Sequence, residues 1–165
     1  MRHNRRMTNI HHLILPGATY FFTVRLQTRG SCLLTDHIES LRYAYAKAVQ
    51  EFPVTCHAMV ILPDHLHAVW TEPSGGVFYT ERWRRIKTRF AQAIPATSGE
   101  KSIWQRRFSE HAIRNRDDFA RAVQHCAQNP VWHGLVEAAD AWPYSSFAKG
   151  TLDRTAAAQR RQISA

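Results

Sequence analysis

Two histidines separated by one apolar residue, His65-Leu66-His67, lie in the run Ile61-Leu62-Pro63-Asp64-His65-Leu66-His67-Ala68-Val69-Trp70. Imidazole is the commonest metal ligand among side chains. The residues after the turn-forming Pro63-Asp64 pair are expected to form a strand, along which side chains alternate between faces. His65, His67 and Val69 then share one face. Leu66, Ala68 and Trp70 share the other, which can pack into a core. Two imidazoles side by side on a sheet surface can hold one divalent ion. With 10 histidines in the chain, such a spacing also arises by chance, and the pair needs support from what surrounds it.

The second chemical signal is charge. Lys plus Arg number 22 against 13 for Asp plus Glu, a formal net charge of +9. An excess of that size favours a polyanionic partner, most often nucleic acid. The basic residues concentrate between Thr80 and Ile94, where Arg82, Arg84, Arg85, Lys87 and Arg89 alternate with Trp83, Ile86, Phe90 and Ala93. That spacing predicts a helix with Trp83, Ile86, Phe90 and Ala93 buried and the cations on other faces. The cations can serve a solvated helix surface or contact phosphates, and the excess of one sign favours phosphates.

The elements that must position these residues follow from pattern. Residues 1–16 suggest a basic, partly ordered arm. Tyr20 to Leu26 is aromatic and β-branched, which predicts a strand. Thr35 is a candidate N-cap for a helix whose apolar stripe is Ile38, Leu41, Tyr45, Ala48, Val49 and Phe52, ended by Pro53. A strand from about Val54 to Ile61 joins the histidine strand through Pro63-Asp64, a hairpin. After the basic helix, Ile103 to Phe108 is either a strand or a loop leading into one at Glu110 to Arg114. A last helix is expected from about Asp117 to Gln128, with Phe119, Ala122, Val123 and Cys126 inward and Asn129-Pro130 closing it. Trp132, Leu135, Val136, Trp142, Tyr144 and Phe147 can pack back on the body, and 148–165 is expected to be a flexible basic tail. Strand, helix, hairpin, helix, strand, helix predicts an α+β fold: one domain over 1–147, a small antiparallel sheet with helices on one face.

The three cysteines, Cys32, Cys56 and Cys126, form no CxxC pair and no even framework, which argues against disulfides and a zinc ribbon. Reduced thiols and the lack of a signal peptide or a membrane-length apolar run make a cytoplasmic location the expectation.

Five blocks in order, LPDHLHAVW, WRRIKTRF, IWQRRFSEHAIRN, NPVWHGLV and AWPYSSF, resemble the single-tyrosine (IS200/IS605-like) HUH transposases, and among them the REP-associated tyrosine transposases. The resemblance spans about Tyr20 to Phe147. It implies a ferredoxin-like or RRM-like antiparallel sheet, and metal-assisted cleavage and rejoining of hairpin-forming single-stranded DNA. It also implies that His65, His67 and Asn129 hold Mg²⁺ or Mn²⁺, and that a tyrosine four residues before Asn129 attacks phosphorus. The expected DNA-binding set is Arg82, Arg84, Arg85, Lys87, Arg89, Trp104, Arg106, Arg107 and Arg114, and the resemblance adds the expectation of a monomer.

The chain departs from that family at the nucleophile, because position 125 is histidine. Residues four apart share a helix face, so His125 is expected to point where the tyrosine would. Imidazole there can add a ligand, act as a base for water, attack phosphorus to give a labile phosphohistidine, or mark a copy that only binds DNA. Tyr144 is the remaining candidate phenol, provided the C-terminal segment folds over the site. A binding module using an RRM-like sheet is the alternative from another class, and it needs exposed aromatics on the sheet face.

Overall fold

A computed structural model describes residues 16–95 and 102–150. The expected basic arm before Pro16 and the tail beyond Gly150 lie outside the described residues. The described part contains β1 (Thr19–Arg25), α1 (Leu33–Asp36), α2 (Ile38–Glu51), β2 (Thr55–Ile61), β3 (His65–Thr71), α3 (Tyr79–Ala93), β4 (Ser109–Ala112), α4 (Arg116–Trp132) and a 3₁₀ turn at Ala139–Ala141. The strands form one sheet in the order β2-β3-β1-β4, with every neighbouring pair antiparallel. This is the split βαβ arrangement of a ferredoxin-like fold. No helix among the described residues is long and apolar enough to cross a membrane.

The expected α+β sheet is present, but its helices do not all lie on one face. Tyr20, Phe22, Val24, Leu66, Ala68 and Trp70 face a core closed by Leu41, Ala44 and Ala48 of α2 and by Trp83, Ile86 and Phe90 of α3. Trp83 stacks on Trp70 with centroids 4.2 Å apart. Ala58, Val60 and Val69 point the other way and pack with Ala122 and Cys126 of α4, with Phe21 and Phe119 beside them. The strands carry apolar residues on alternate positions of both faces, so each face needs its own cover.

Three local expectations change, and the open alternative for the fourth strand is decided in favour of a loop leading into it. Thr35 does not cap α2. It lies inside the one-turn α1 and its Oγ1 donates to Cys32 O at 3.2 Å. Ala93 is exposed, and Ile94 is buried in its place at the end of α3. The fourth strand is the short segment Ser109–Ala112, while Trp104 makes only an isolated bridge to Leu26. Helix α4 runs through Pro130 to Trp132 rather than ending at Gln128. A proline removes one N–H near the helix end. The turns after it are still bonded, His133 N–H to Asn129 O at 3.0 Å and Leu135 N–H to Pro130 O at 2.9 Å. The stop comes at Gly134, whose φ of +70° suits glycine at that position. The extra turn carries Trp132 and His133.

The N-terminus of α4 is fastened by Asn115, whose Oδ1 accepts from Asp118 N–H at 2.9 Å. Asp118 Oδ2 accepts in return from Arg114 N–H at 3.0 Å and from His111 Nε2 at 2.9 Å. The Arg114 N–H and the His111 ring lower the Asp118 carboxyl to about 2. A depressed carboxyl stabilises above its unfolded value, near 3.9, and loses that contribution as pH falls through its folded value. Asp118→Asn should therefore melt below the unmodified protein at neutral pH, and the gap should close between about pH 4 and pH 2. Melting curves across that range check it; a constant gap would contradict it.

Residues 142–146 close the outer edge of β2. Ile61 N–H donates to Tyr144 O at 2.8 Å, Ser146 N–H to Met59 O at 2.9 Å, and Trp142 Nε1 to Ile61 O at 2.8 Å. This covers an edge that would otherwise offer unpaired backbone groups.

Candidate functional site

The β2–β3 hairpin turns through Pro63 and Asp64, with Leu62 N–H bonded to His65 O at 2.8 Å. His65 thus opens β3, opposite Arg25, and His67 lies opposite Thr23. Alternation puts both imidazoles on the α4 side of the sheet. His65 Nδ1 is hydrogen-bonded to Asp64 Oδ1 at 2.6 Å. His67 Nδ1 is hydrogen-bonded to Thr23 Oγ1 at 2.8 Å. With Nδ1–H donating to these oxygens, Nε2 carries the lone pair, the arrangement that orients a metal-binding histidine. The two rings lie 5.1 Å apart, edge to face.

Helix α4 brings the other groups. The His125 ring is 4.7 Å from that of His67, and Asn129 Nδ2 donates to His125 Nε2 at 3.1 Å. One turn on, His133 meets the His65 ring at 5.1 Å, and Trp132 meets His125 at 5.4 Å. Phe21 stacks on His67 at 5.4 Å. His125 therefore bridges His67 on one side and Asn129 on the other, as the helical spacing required.

Burial favours the neutral form of His65, His67 and His125. Burial first, then the neighbouring His125 and His65, push His67 down to about 3. Burial also lowers His65, against the pull of Asp64. Burial lowers His125, with smaller contributions from His65 and His133. Neutral imidazole is the ligating form. Asn129 supplies the other telling atom. Its Oδ1 is buried and has no hydrogen-bond partner in the protein, a condition that costs about 1–3 kcal/mol in a folded chain. Among the described residues no three His, Cys, Asp or Glu groups form a ready-made metal cluster. A divalent ion here would take the two imidazoles, the Asn129 amide oxygen and oxygens of a bound substrate. That mixed nitrogen and oxygen set fits Mn²⁺ or Mg²⁺.

The chain is 43% identical over 141 residues to the REP-associated tyrosine transposase of Escherichia coli (strain K12), covering 86% of this chain and 83% of the relative. The chain belongs to the REP-associated tyrosine transposase family. It is 38% identical over 151 residues to a putative REP-associated tyrosine transposase of Haemophilus influenzae, covering 86% of each. The solved structure of a REP-associated tyrosine transposase bound to a REP hairpin superposes with a TM-score of 0.76 at 42% identity, covering 89% of this chain and 83% of that one. No family model matches the chain.

Family members are named for a tyrosine, and none lies beside these histidines. The chain has five tyrosines. Tyr20, Tyr45 and Tyr79 belong to the core under α2 and α3. Tyr43 is exposed on α2. Tyr144 lies under Arg42 of α2, with the guanidinium 6.0 Å from its ring centroid. The C-terminal segment does fold back, but it delivers Tyr144 to the wrong side of the sheet. The phenol expectation at Tyr144 is therefore corrected.

Two of the expected DNA-binding residues, Arg82 and Trp104, are buried. Arg82 is fully buried. It is bonded to Glu72 Oε1 at 2.6 Å through Nη1 and to Phe52 O at 2.7 Å through Nε. Counting charges along a helix cannot distinguish such a residue from its exposed neighbours. Trp104 is buried too, donating Nε1–H to Lys87 O at 3.0 Å and packing on Phe90. It anchors the segment after α3 and has no face left for a base. Arg84 pairs with Glu81, Arg85 with Glu81 and Glu51, and Arg89 with Glu51. Lys87 Nζ donates to Gln105 O at 2.7 Å. All of these α3 cations are on the face opposite the histidines. Arg106 and Arg107 are exposed and follow Gln105, whose N–H bonds to Arg25 O at 3.0 Å. Arg114 is exposed beside Asp118, 3.5 Å away.

Arg25, Thr23 and His133 join the site without a motif to mark them, and Trp132, expected to pack back on the body, is exposed. Arg25 and Thr23 could have been found by extending strand alternation to β1, since they fall on the same face as Phe21. His133 and the exposure of Trp132 were hidden by ending the last helix at its proline.

Proposed function

We propose that this chain binds hairpin-forming single-stranded DNA of the REP type through its histidine face. It holds one Mg²⁺ or Mn²⁺ with His65, His67 and the Asn129 amide oxygen, and it forms no covalent DNA intermediate. The observation that carries the reading is the buried, unpartnered Asn129 Oδ1 beside two oriented, neutral imidazoles. The hairpin follows from the 42% identical relative described with one.

A bound divalent ion would supply positive charge toward a scissile phosphate. The protein's own groups do the rest. Asp64 and Thr23 fix the imidazole orientations, Arg25 adds a cation at the mouth of the site, and Arg106 and Arg107 extend the basic surface away from it. His125 occupies the nucleophile position without a phenol, and its Nε2 already accepts from Asn129. That hydrogen bond uses the lone pair a base would need, so water activation by His125 is the weaker reading. The RRM-like platform is weaker still, because helices cover both faces of the sheet.

Titration of the protein with Mn²⁺ and with a REP hairpin, across a range of salt, tests the proposal. Mn²⁺ should raise the melting temperature of the unmodified protein and not that of Asn129→Leu. Without metal, Asn129→Leu should melt no lower than the unmodified protein, because the orphan oxygen is gone. Hairpin affinity should fall linearly on a log–log plot against salt, by a slope of roughly 0.7 per single-strand phosphate neutralised. Metal stabilisation that survives Asn129→Leu would remove Asn129 from the site. Salt-independent hairpin affinity would remove the basic surface.

A further inference from the structure

Helix α4 ends on an aromatic side chain that packing does not explain. Trp132 is 59% exposed, while Trp70, Trp83 and Trp104 are buried. A lone exposed apolar side chain is ordinary. Trp132 is not alone, because it is the outermost member of a run of rings. His125 stands 5.4 Å from it, His67 stands 4.7 Å from His125, and His65 stands 5.1 Å from His67. The run leads from solvent to the two imidazoles of the proposed metal site. Beside it lies a cation, Arg25, opposite His65. Among the described residues, the carboxylate bonded to His65, that of Asp64, is taken up by the His65 ring and by the Gly30 N–H at 2.8 Å.

An exposed indole next to cationic and neutral polar groups is the surface that single-stranded nucleic acids use. Each base has a π-face, and stacking on an aromatic side chain fixes an unpaired strand while cations hold its phosphates. A duplex stem presents no free base face to an indole. We propose that Trp132 is a stacking platform for one unpaired nucleobase flanking the DNA hairpin. It holds the single-stranded segment across the histidine face, with Arg25 against a phosphate farther along the strand, beside His65. The inference rests on the DNA-binding reading above and adds the part of the substrate that meets α4. It also gives the helix turn beyond Pro130 a purpose, since a helix ending at Gln128 would not present this side chain.

The test uses the full chain and two probes, a blunt REP hairpin and the same hairpin with an unpaired extension. Trp132→Ala should weaken binding of the extended probe by about 5- to 150-fold, the range for loss of one base–aromatic stack. Binding of the blunt probe should stay within about twofold. Trp132→Phe should keep most of the affinity, since a ring remains. An abasic position within the extension should reproduce the Trp132→Ala loss in the unmodified protein, and combining the two should add nothing further. Tryptophan emission should be quenched by the extended probe in the unmodified protein and not in Trp132→Ala. Equal losses on both probes, or none on the extended one, would overturn the stacking role while leaving hairpin binding intact. An unmodified protein that binds neither probe would overturn the DNA-binding reading and the stacking role with it.

Discussion

The His125→Tyr protein is expected to form a heat-stable covalent adduct with hairpin DNA in the presence of Mn²⁺, and the unmodified protein is expected to form none. A lasting phosphoryl link needs a phenol on the α4 face that also carries Asn129. All five tyrosines of the chain are accounted for on the other side of the sheet. His125 sits 4.7 Å from the His67 ring and is bonded to Asn129 Nδ2, so a phenol introduced there projects from the same helix face toward the histidine pair. A phosphohistidine formed by the unmodified protein would be labile to acid and heat, which is why the readout is a denaturing gel after heating. The expected effect is a change from no adduct to a detectable one. An adduct from the unmodified protein would overturn the expectation. An His125→Tyr protein that binds hairpin and Mn²⁺ but yields no adduct would show that the site lacks more than its nucleophile.

The largest effect on stability should come from Arg82→Ala. The guanidinium and the Glu72 carboxylate are both completely buried. Arg82 also satisfies Phe52 O and Pro53 O and lies 5.1 Å over the Trp70 ring. Glu72 in turn accepts from Phe78 N–H at 3.0 Å, fixing the entry to α3. Removing one partner of such a pair leaves an uncompensated buried charge and costs about 3–5 kcal/mol. For a chain of this size each kcal/mol moves the melting temperature by about 2–4 °C, so a fall on the order of 10 °C is expected. Arg84→Ala, two residues on and exposed, should scarcely move it. A small shift for Arg82→Ala, or a large loss of hairpin affinity in a protein that still melts normally, would return Arg82 to the DNA-binding surface.

Much of the architecture was legible from pattern. The alternation around Leu66, Ala68 and Trp70 and the 3.6-residue spacing of Trp83, Ile86 and Phe90 are local signals, and local signals survive into the fold. The pairing of His65 and His67 on one strand face, and of His125 and Asn129 on one helix face, needed only backbone periodicity. The family followed from blocks of residues whose order no rearrangement of the chain disturbs.

What the sequence could not decide was which surfaces meet. Arg82 and Arg84 differ by two positions on one helix, and only the packing of α3 on the sheet makes one a buried ion-pair partner and the other a surface residue. Placing α4 across the opposite face separated the basic helix from the histidines and put Tyr144 out of reach, because sheet faces are filled by whichever apolar stripe crosses them. The orphaned Asn129 oxygen and the exposed Trp132 ring also exist only in three dimensions. Burial and partnership are relations between distant segments, and a residue's type and local spacing carry neither.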